Sequence, residues 1–195
     1  MSRLLDLVLA SIALILLSPL FIVLAVWIKL DSPGTVIYKQ IRVGRYGKEF
    51  WLYKLRSMRA NADKDSLLTF GETDNRITNS GKFIRKYKMD ELPQLFNVLS
   101  GKMSIVGPRP EVKKYVDLYT EEQQTVLNVR PGITDYASIV YYNEAEILEK
   151  QSNPEAYYIN TVMPDKIKLN QKYIQNPSLM NYFRVILFTV KAVLK

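Results

Sequence analysis

The sequence predicts a mostly helical α+β chain whose N-terminus enters a membrane and whose remaining length folds as one domain. Three observations predict this. The run Leu7–Ile28 carries no charge, two β-rich runs flank one glycine-bounded turn, and short helix-period patterns dominate from Lys82 onward. A chain of 195 residues has room for one domain with an appendage, divided here into residues 1–30 and 31–195.

The uncharged run, 22 positions long, would measure about 33 Å as one helix, enough to cross a ~30 Å hydrocarbon core. It is too long for a cleaved leader and no small-x-small site follows it. Ser18-Pro19 sits near its middle. Pro19 lacks an N–H and crowds the carbonyl of Ile15, so the run reads as a kinked spanning helix or as a helix-break-helix that enters and leaves by one face. From Lys29 to Arg59 there are eight basic residues against Asp31 and Glu49, which predicts that the chain after the run stays in the cytoplasm.

Thr35–Val43 and Glu49–Leu55, around Gly44–Gly47, predict a β-hairpin. Helical patterns follow at Arg59–Leu68, Lys82–Tyr87, Glu91–Leu99, Val112–Leu118, Glu121–Asn128, Asn143–Glu149, Pro154–Val162 and Pro164–Ile174. Gly71–Gly81 reads as a polar loop, and Ser104–Val106 and Ala137–Tyr141 as short strands. Thr120 and Gln123 have capping-box spacing, and Gly101 follows Ser100 as a helix stop. From Ser178 to Lys195, Arg184, Lys191 and Lys195 fall within about 40° of one another at 100° per residue, on an otherwise apolar helix. That helix either lies among lipid headgroups or docks on the core.

Cys and His are both absent. This excludes disulfides, thiolate nucleophiles, zinc fingers, Ser-His-Asp triads and imidazole bases, and restricts any metal to a hard, oxygen-liganded ion such as Mg²⁺. The formal charge is +8. No glycine-rich nucleotide fingerprint occurs, so a Rossmann or P-loop reading has no support; the cations are expected to meet phosphates and lipid headgroups, with no nucleic-acid partner. Arg85, Lys86 and Lys88 precede Asp90-Glu91-Leu92-Pro93, where Asp90 has the type and place of a helix N-cap and would be kept ionised by that position. Gly107-Pro108-Arg109-Pro110 presents an arginine from a stiff backbone suited to phosphate. Arg130-Pro131-Gly132-Ile133-Thr134 is a second such turn, with Thr134 adding a hydroxyl, and Lys54 and Arg56 leave the hairpin on one strand face. Each feature alone is also a common cap, turn or solvated strand.

Together these strings resemble the monotopic phosphoglycosyl transferases, or bacterial sugar transferases, over the whole chain. The carrying segments are Arg42-Val43-Gly44 with Lys54-Leu55-Arg56-Ser57-Met58, Met89 to Leu99, Gly101 to Pro110, and Arg130 to Thr134. The resemblance implies transfer of a sugar 1-phosphate from a UDP-sugar to undecaprenyl phosphate, with release of UMP, at the start of bacterial glycan assembly. It implies Asp90 as nucleophile, Glu91 as its partner, Mg²⁺ at that dyad, phosphate contacts from Arg109 and Lys54, and a re-entrant break at Ser18-Pro19. The fold expected is therefore α+β and mostly helical, with a re-entrant membrane helix-break-helix, a small hairpin and interfacial amphipathic helices, on the cytoplasmic face of the inner membrane. Arg56, Arg85, Arg130 and Thr134 complete the expected phosphate-binding set, and a homodimer is compatible with it. Three positions depart from the family pattern: Leu55 stands for Phe, Ser2 for Lys, and Asp135 for the Gly that often follows Arg-Pro-Gly-Ile-Thr. The competing expectation is a non-catalytic basic protein that binds anionic headgroups.

Overall fold

The computed structural model describes residues 3–59, 62 and 74–193. The helix expected over Arg59–Leu68 falls almost wholly outside these residues, as does the start of the Gly71–Gly81 loop. Helix α1 (Arg3–Asp31) is a single element that continues through Pro19, so Ser18-Pro19 does not interrupt the helix as expected. The reason is local. Pro19 cannot donate to the Ile15 carbonyl, and the Ser18 hydroxyl takes that carbonyl instead at 2.8 Å.

Both ends of α1 are fastened to the rest of the chain. Asp6, 4% exposed, accepts from Ser104 Oγ (2.5 Å), the Ile105 amide (3.1 Å) and the Tyr182 hydroxyl (2.8 Å). Arg3 donates to the carbonyls of Val98, Leu99 and Met103. At the other end Leu24 and Ile28 pack on Leu55 and Ile84, and the Asp31 carboxylate accepts from the Ser80 amide and hydroxyl. Between these anchors the outer face is apolar and bare: Ile15 and Leu16 are each 73% exposed.

Strands β1 (Ile37–Val43) and β2 (Glu49–Leu55) form the expected antiparallel hairpin, with Tyr38 opposite Lys54. Alternation puts Phe50 and Leu52 inward, under α1 and next to Leu95 and Val98. Lys54 shares their face, which turns a cation inward at the end of an apolar row.

Helix α2 (Asn79–Lys86) starts three residues before the expected Lys82, because Thr78 caps it by accepting from the Gly81 amide. The pattern over Glu91–Leu99 divides into a 3₁₀ turn (Met89–Glu91) and α3 (Gln94–Leu99). Asp90 is therefore not an N-cap. It lies within a tight turn entered through Lys88 in the left-handed region (φ 53°), and Pro93 precedes α3. Gly101 follows α3 with φ +81°, as a helix stop requires.

Strand β3 (Ser104–Val106) pairs in parallel with β4 (Gly132–Thr134). The second strand differs from expectation: of Ala137–Tyr141, all but the capping Tyr141 lie in a helix, α6 (Tyr136–Val140), because Asp135 accepts from the Ser138 amide at 2.6 Å and so initiates it. The two arginine-proline strings meet back to back. A Cβ on Gly132 would lie 2.1 Å from the Gly107 nitrogen, so only glycine permits this contact.

The remaining helices are α4 (Lys113–Val116), α5 (Glu121–Gln124, with the Thr120–Gln123 capping box), α7 (Glu144–Glu149), α8 (Pro154–Tyr157), α9 (Met163–Gln175) and α10 (Leu179–Val193). The α8 and α9 segments run together through a π turn over Tyr158–Val162. Val112, Tyr115, Leu148, Tyr158 and Ile167 belong to a core cluster of their own, separate from those packed on α1. Helix α10 docks Tyr182 and Val185 against β3 and leaves Met180, Phe183, Leu187 and Phe188 exposed. It is thus docked on one face and apolar on the other.

Candidate active site

A cavity of about 600 Å³ opens where the hairpin, the Met89–Glu91 turn, α6 and α10 converge. Its walls differ in chemistry. Ala13 and Leu17 of α1 with Val190 and Val193 of α10 make an apolar side. Lys54, Asp90, Glu91 and Arg109 make the charged centre, and Glu111, Tyr142, Glu144, Tyr158 and Lys166 make a polar, aromatic side.

At the centre Lys54 Nζ lies 3.6 Å from Asp90 Oδ2 and 3.5 Å from Glu91 Oε1. Arg109 grips both oxygens of Glu91, Nη1 on Oε2 at 2.9 Å and Nη2 on Oε1. The two neighbouring carboxylates therefore have different lives. Burial resists ionisation of Glu91, but Arg109 and Lys54 outweigh it and hold that carboxyl well below the usual range. Glu91 in return pushes the Arg109 guanidinium still higher. Burial lowers the Lys54 ammonium from the ordinary lysine value, with Glu91 and then Asp90 opposing it. Asp90 is 5% exposed and has Lys54 as its ion-pair partner, and among the described residues no donor hydrogen-bonds to it. Its lone pairs remain open to the cavity.

Of the other expected site residues, Arg85 and Thr134 line the same cavity, Thr134 sharing a 2.6 Å hydrogen bond with Thr189 of α10. Arg56 and Arg130 do not line it. Arg56 turns the opposite way and caps α1, donating to the carbonyls of Ile28, Ser32 and Pro33 at 3.2, 2.7 and 2.9 Å. Arg130 donates to the Gly101 carbonyl at 3.2 Å. Ser18 borders a separate apolar groove with Leu14, Phe21 and Phe96.

Sequence reasoning missed the polar wall. Glu111 accepts from Arg42 Nη1 (2.9 Å), its neighbour's Val112 amide (2.9 Å) and the Tyr158 hydroxyl. Burial opposes its ionisation, yet Arg42 and Lys166 keep it below the usual carboxylate range. Lys166 pairs with Glu144 at 2.7 Å, and Lys88 Nζ stands 5.3 Å from the Tyr142 ring centroid. Glu111 directly follows Pro110, a signal that could have drawn it into the candidate set. Nothing local marks Lys166 or Tyr158.

For a metal, the donor set is one open carboxylate and one engaged in an ion pair, and no three acidic side chains cluster among the described residues. That suits a hard cation which completes its shell with water and substrate phosphate.

A helix long and apolar enough to cross a membrane thus lies beside a carboxylate dyad ringed by fixed cations. The family described as bacterial sugar transferase matches residues 1–195, and the chain belongs to that family. A relative from Aeromonas hydrophila, named UDP-N-acetylgalactosamine-undecaprenyl-phosphate N-acetylgalactosaminephosphotransferase, is 43% identical over 79% of this chain and 38% of its own length. Two relatives are named UDP-glucose:undecaprenyl-phosphate glucose-1-phosphate transferase. That from Klebsiella pneumoniae is 37% identical over 96% of this chain and 39% of its own, and that from Caulobacter vibrioides is 35% identical over 98% and 69%. The chain thus spans less than half the length of the first two.

Proposed function

We propose that this chain transfers a sugar 1-phosphate from a UDP-sugar to undecaprenyl phosphate through a phosphoglycosyl-aspartyl intermediate on Asp90, releasing UMP. The observation that carries this reading is the asymmetry of the dyad: Asp90 is buried with open lone pairs, while both oxygens of Glu91 are held by Arg109. In the first displacement an Asp90 oxygen attacks the β-phosphorus. The bond from that phosphorus to the bridging oxygen breaks, and its electron pair leaves with UMP. In the second, a phosphate oxygen of the polyprenol attacks the same phosphorus, the acyl-phosphate bond breaks, and Asp90 is freed. Lys54 and Arg109 hold the phosphoryl oxygens and offset the charge that develops on them. The acceptor is already an anion at neutral pH and needs little base assistance. Glu91, strongly held in its ionised form, is a weak base and serves to position Arg109. Asp90 and Glu91 also fit Mg²⁺, which when bound would neutralise charge on the donor phosphates.

The apolar wall made by α1 and α10 is the side from which a lipid-borne phosphate would arrive. Asp6 and Ile28, about 33 Å apart along the helix, are both buried against one domain, an arrangement that favours insertion into one leaflet over a perpendicular span. The excess of basic residues after α1 favours the cytoplasmic face, and the acceptor named for the relatives is a lipid of the bacterial membrane.

The test uses protein in nanodiscs with a panel of UDP-sugars, Mg²⁺ and undecaprenyl phosphate, scored by UMP release. Wild type given donor alone should gain the mass of a phosphosugar, and Asp90→Asn should not. Sustained turnover by Asp90→Asn would remove Asp90 from this role. Vesicle binding without donor-dependent UMP would favour the headgroup-binding alternative.

A further inference from the structure

We infer that Asp135 is a positioning residue for Arg109, an inference that rests on reading Asp90, Glu91 and Arg109 as the reacting site. Asp135 lies between β4 and α6 and is 1% exposed. Its Oδ2 accepts from the Arg109 amide at 2.9 Å and from Asn170 Nδ2 of α9 at 2.8 Å, while Oδ1 accepts from the Ser138 amide at 2.6 Å. One carboxylate therefore joins the Pro-Arg-Pro turn, α6 and α9.

The bond to Arg109 has unusual leverage. Proline has no N–H, so across Pro108–Pro110 the Arg109 amide is the single backbone donor. The turn is pinned at three successive points: the Gly107 amide to the Thr134 carbonyl (3.0 Å), the Pro108 carbonyl by the Gly132 amide (2.9 Å), and the Arg109 amide to Asp135. The first two hold the base of the turn against β4. The third holds the residue whose guanidinium must meet both oxygens of Glu91. A geometry with two parallel hydrogen bonds tolerates little rotation at its root. Asp135 also starts α6, whose Ser138 and Ile139 line the cavity, so one side chain sets the arginine and the facing wall in common register.

Capping and positioning can be separated. Asp135→Ser offers a single oxygen, enough to cap at Ser138 but not to hold the Arg109 amide as well. It should lower kcat/KM for UMP release by about tenfold to a hundredfold, chiefly through kcat, when assayed well below a thermal midpoint that also falls because the Arg109 and Asn170 donors lose their acceptor. In an Arg109→Lys background the same change should cost less than about twofold, because the geometry it protects is already lost. Asp135→Asn, which turns one acceptor into a donor, is the second variant and should behave alike. Wild-type kcat/KM in Asp135→Ser, or an equal loss in both backgrounds, would overturn the inference. Hydrogen exchange of the 107–110 segment, whose amides belong only to Gly107 and Arg109, gives a reading independent of turnover. It should quicken in Asp135→Ser, and unchanged protection would overturn the inference. Absence of UMP release by wild type with every UDP-sugar would instead sink the functional reading and leave the exchange experiment to decide this one.

Discussion

Replacing Arg109 by Lys keeps the positive charge and removes the fork. In the structure Nη1 and Nη2 each direct one N–H at a different oxygen of Glu91, which leaves Nε–H and one N–H on each terminal nitrogen for phosphate. A lysine ammonium reaches one of those oxygens at a time and has three donors in all. At least one charge-assisted hydrogen bond is therefore lost at the site, worth about 1.5–3 kcal/mol. At about 1.4 kcal/mol per decade this is roughly one to two decades in kcat/KM. The assay is the initial rate of UMP release against donor concentration, in nanodiscs holding saturating undecaprenyl phosphate. A thermal melt separates lost activity from lost fold. Removing the cation altogether would leave buried Glu91 with Lys54 as its remaining ion-pair partner and cost stability as well, which is why lysine is the informative change. A variant with kcat/KM within about twofold of wild type would refute the reasoning, because the fork on Glu91 would then contribute nothing to phosphate handling.

Three further outcomes are expected. Asp6→Ala leaves donors from Ser104, Ile105 and Tyr182 without an acceptor, and at about 1–3 kcal/mol for an unsatisfied buried group it should lower the melting temperature and speed exchange in α10 as well as α1; an effect confined to α1 would contradict the shared anchor. Glu111 has a native pKa below its unfolded value of about 4.3, so the stability its ionisation adds is fully present above that value and is lost as pH falls through the lower native one. The melting difference between wild type and Glu111→Gln should thus be larger at neutral pH than in acid, and a pH-independent difference would dispose of the Arg42 and Lys166 contribution. Mg²⁺ should bind weakly without donor and more tightly with it, since the protein supplies two carboxylates and the donor the remaining oxygens; calorimetry giving equal affinity with and without UDP-sugar would argue for a preformed cage.

Where a feature depended on neighbours in the chain, the sequence alone located it. The uncharged run became α1, alternation and the Gly44–Gly47 turn predicted a hairpin over Thr35–Leu55 that the structure holds from Ile37 to Leu55, and Ser104–Val106 is a strand at the bounds expected. The Asp-Glu pair and the Pro-Arg-Pro turn, each by itself also a common cap or turn, became legible as chemistry only together, through their resemblance to the family's strings. Period and propensity misjudged Ala137–Tyr141, where Asp135 acts as a cap for a helix whose isoleucine and valine suggest a strand.

What the sequence by itself determined is the inventory: no imidazole or thiol, a long apolar helix, cations gathered around one carboxylate pair. Only the tertiary structure decided where each cation goes. Lys54 and Arg56 are two residues apart, yet one faces the dyad and the other ends α1, because the strand and its regular alternation stop at Leu55, between them. Arg42, Glu111, Tyr158 and Lys166 share a wall although they come from β1, a loop, a π turn and α9. Such meetings depend on how elements pack across a hundred residues, and no short-range pattern of residue types records a distance of that kind.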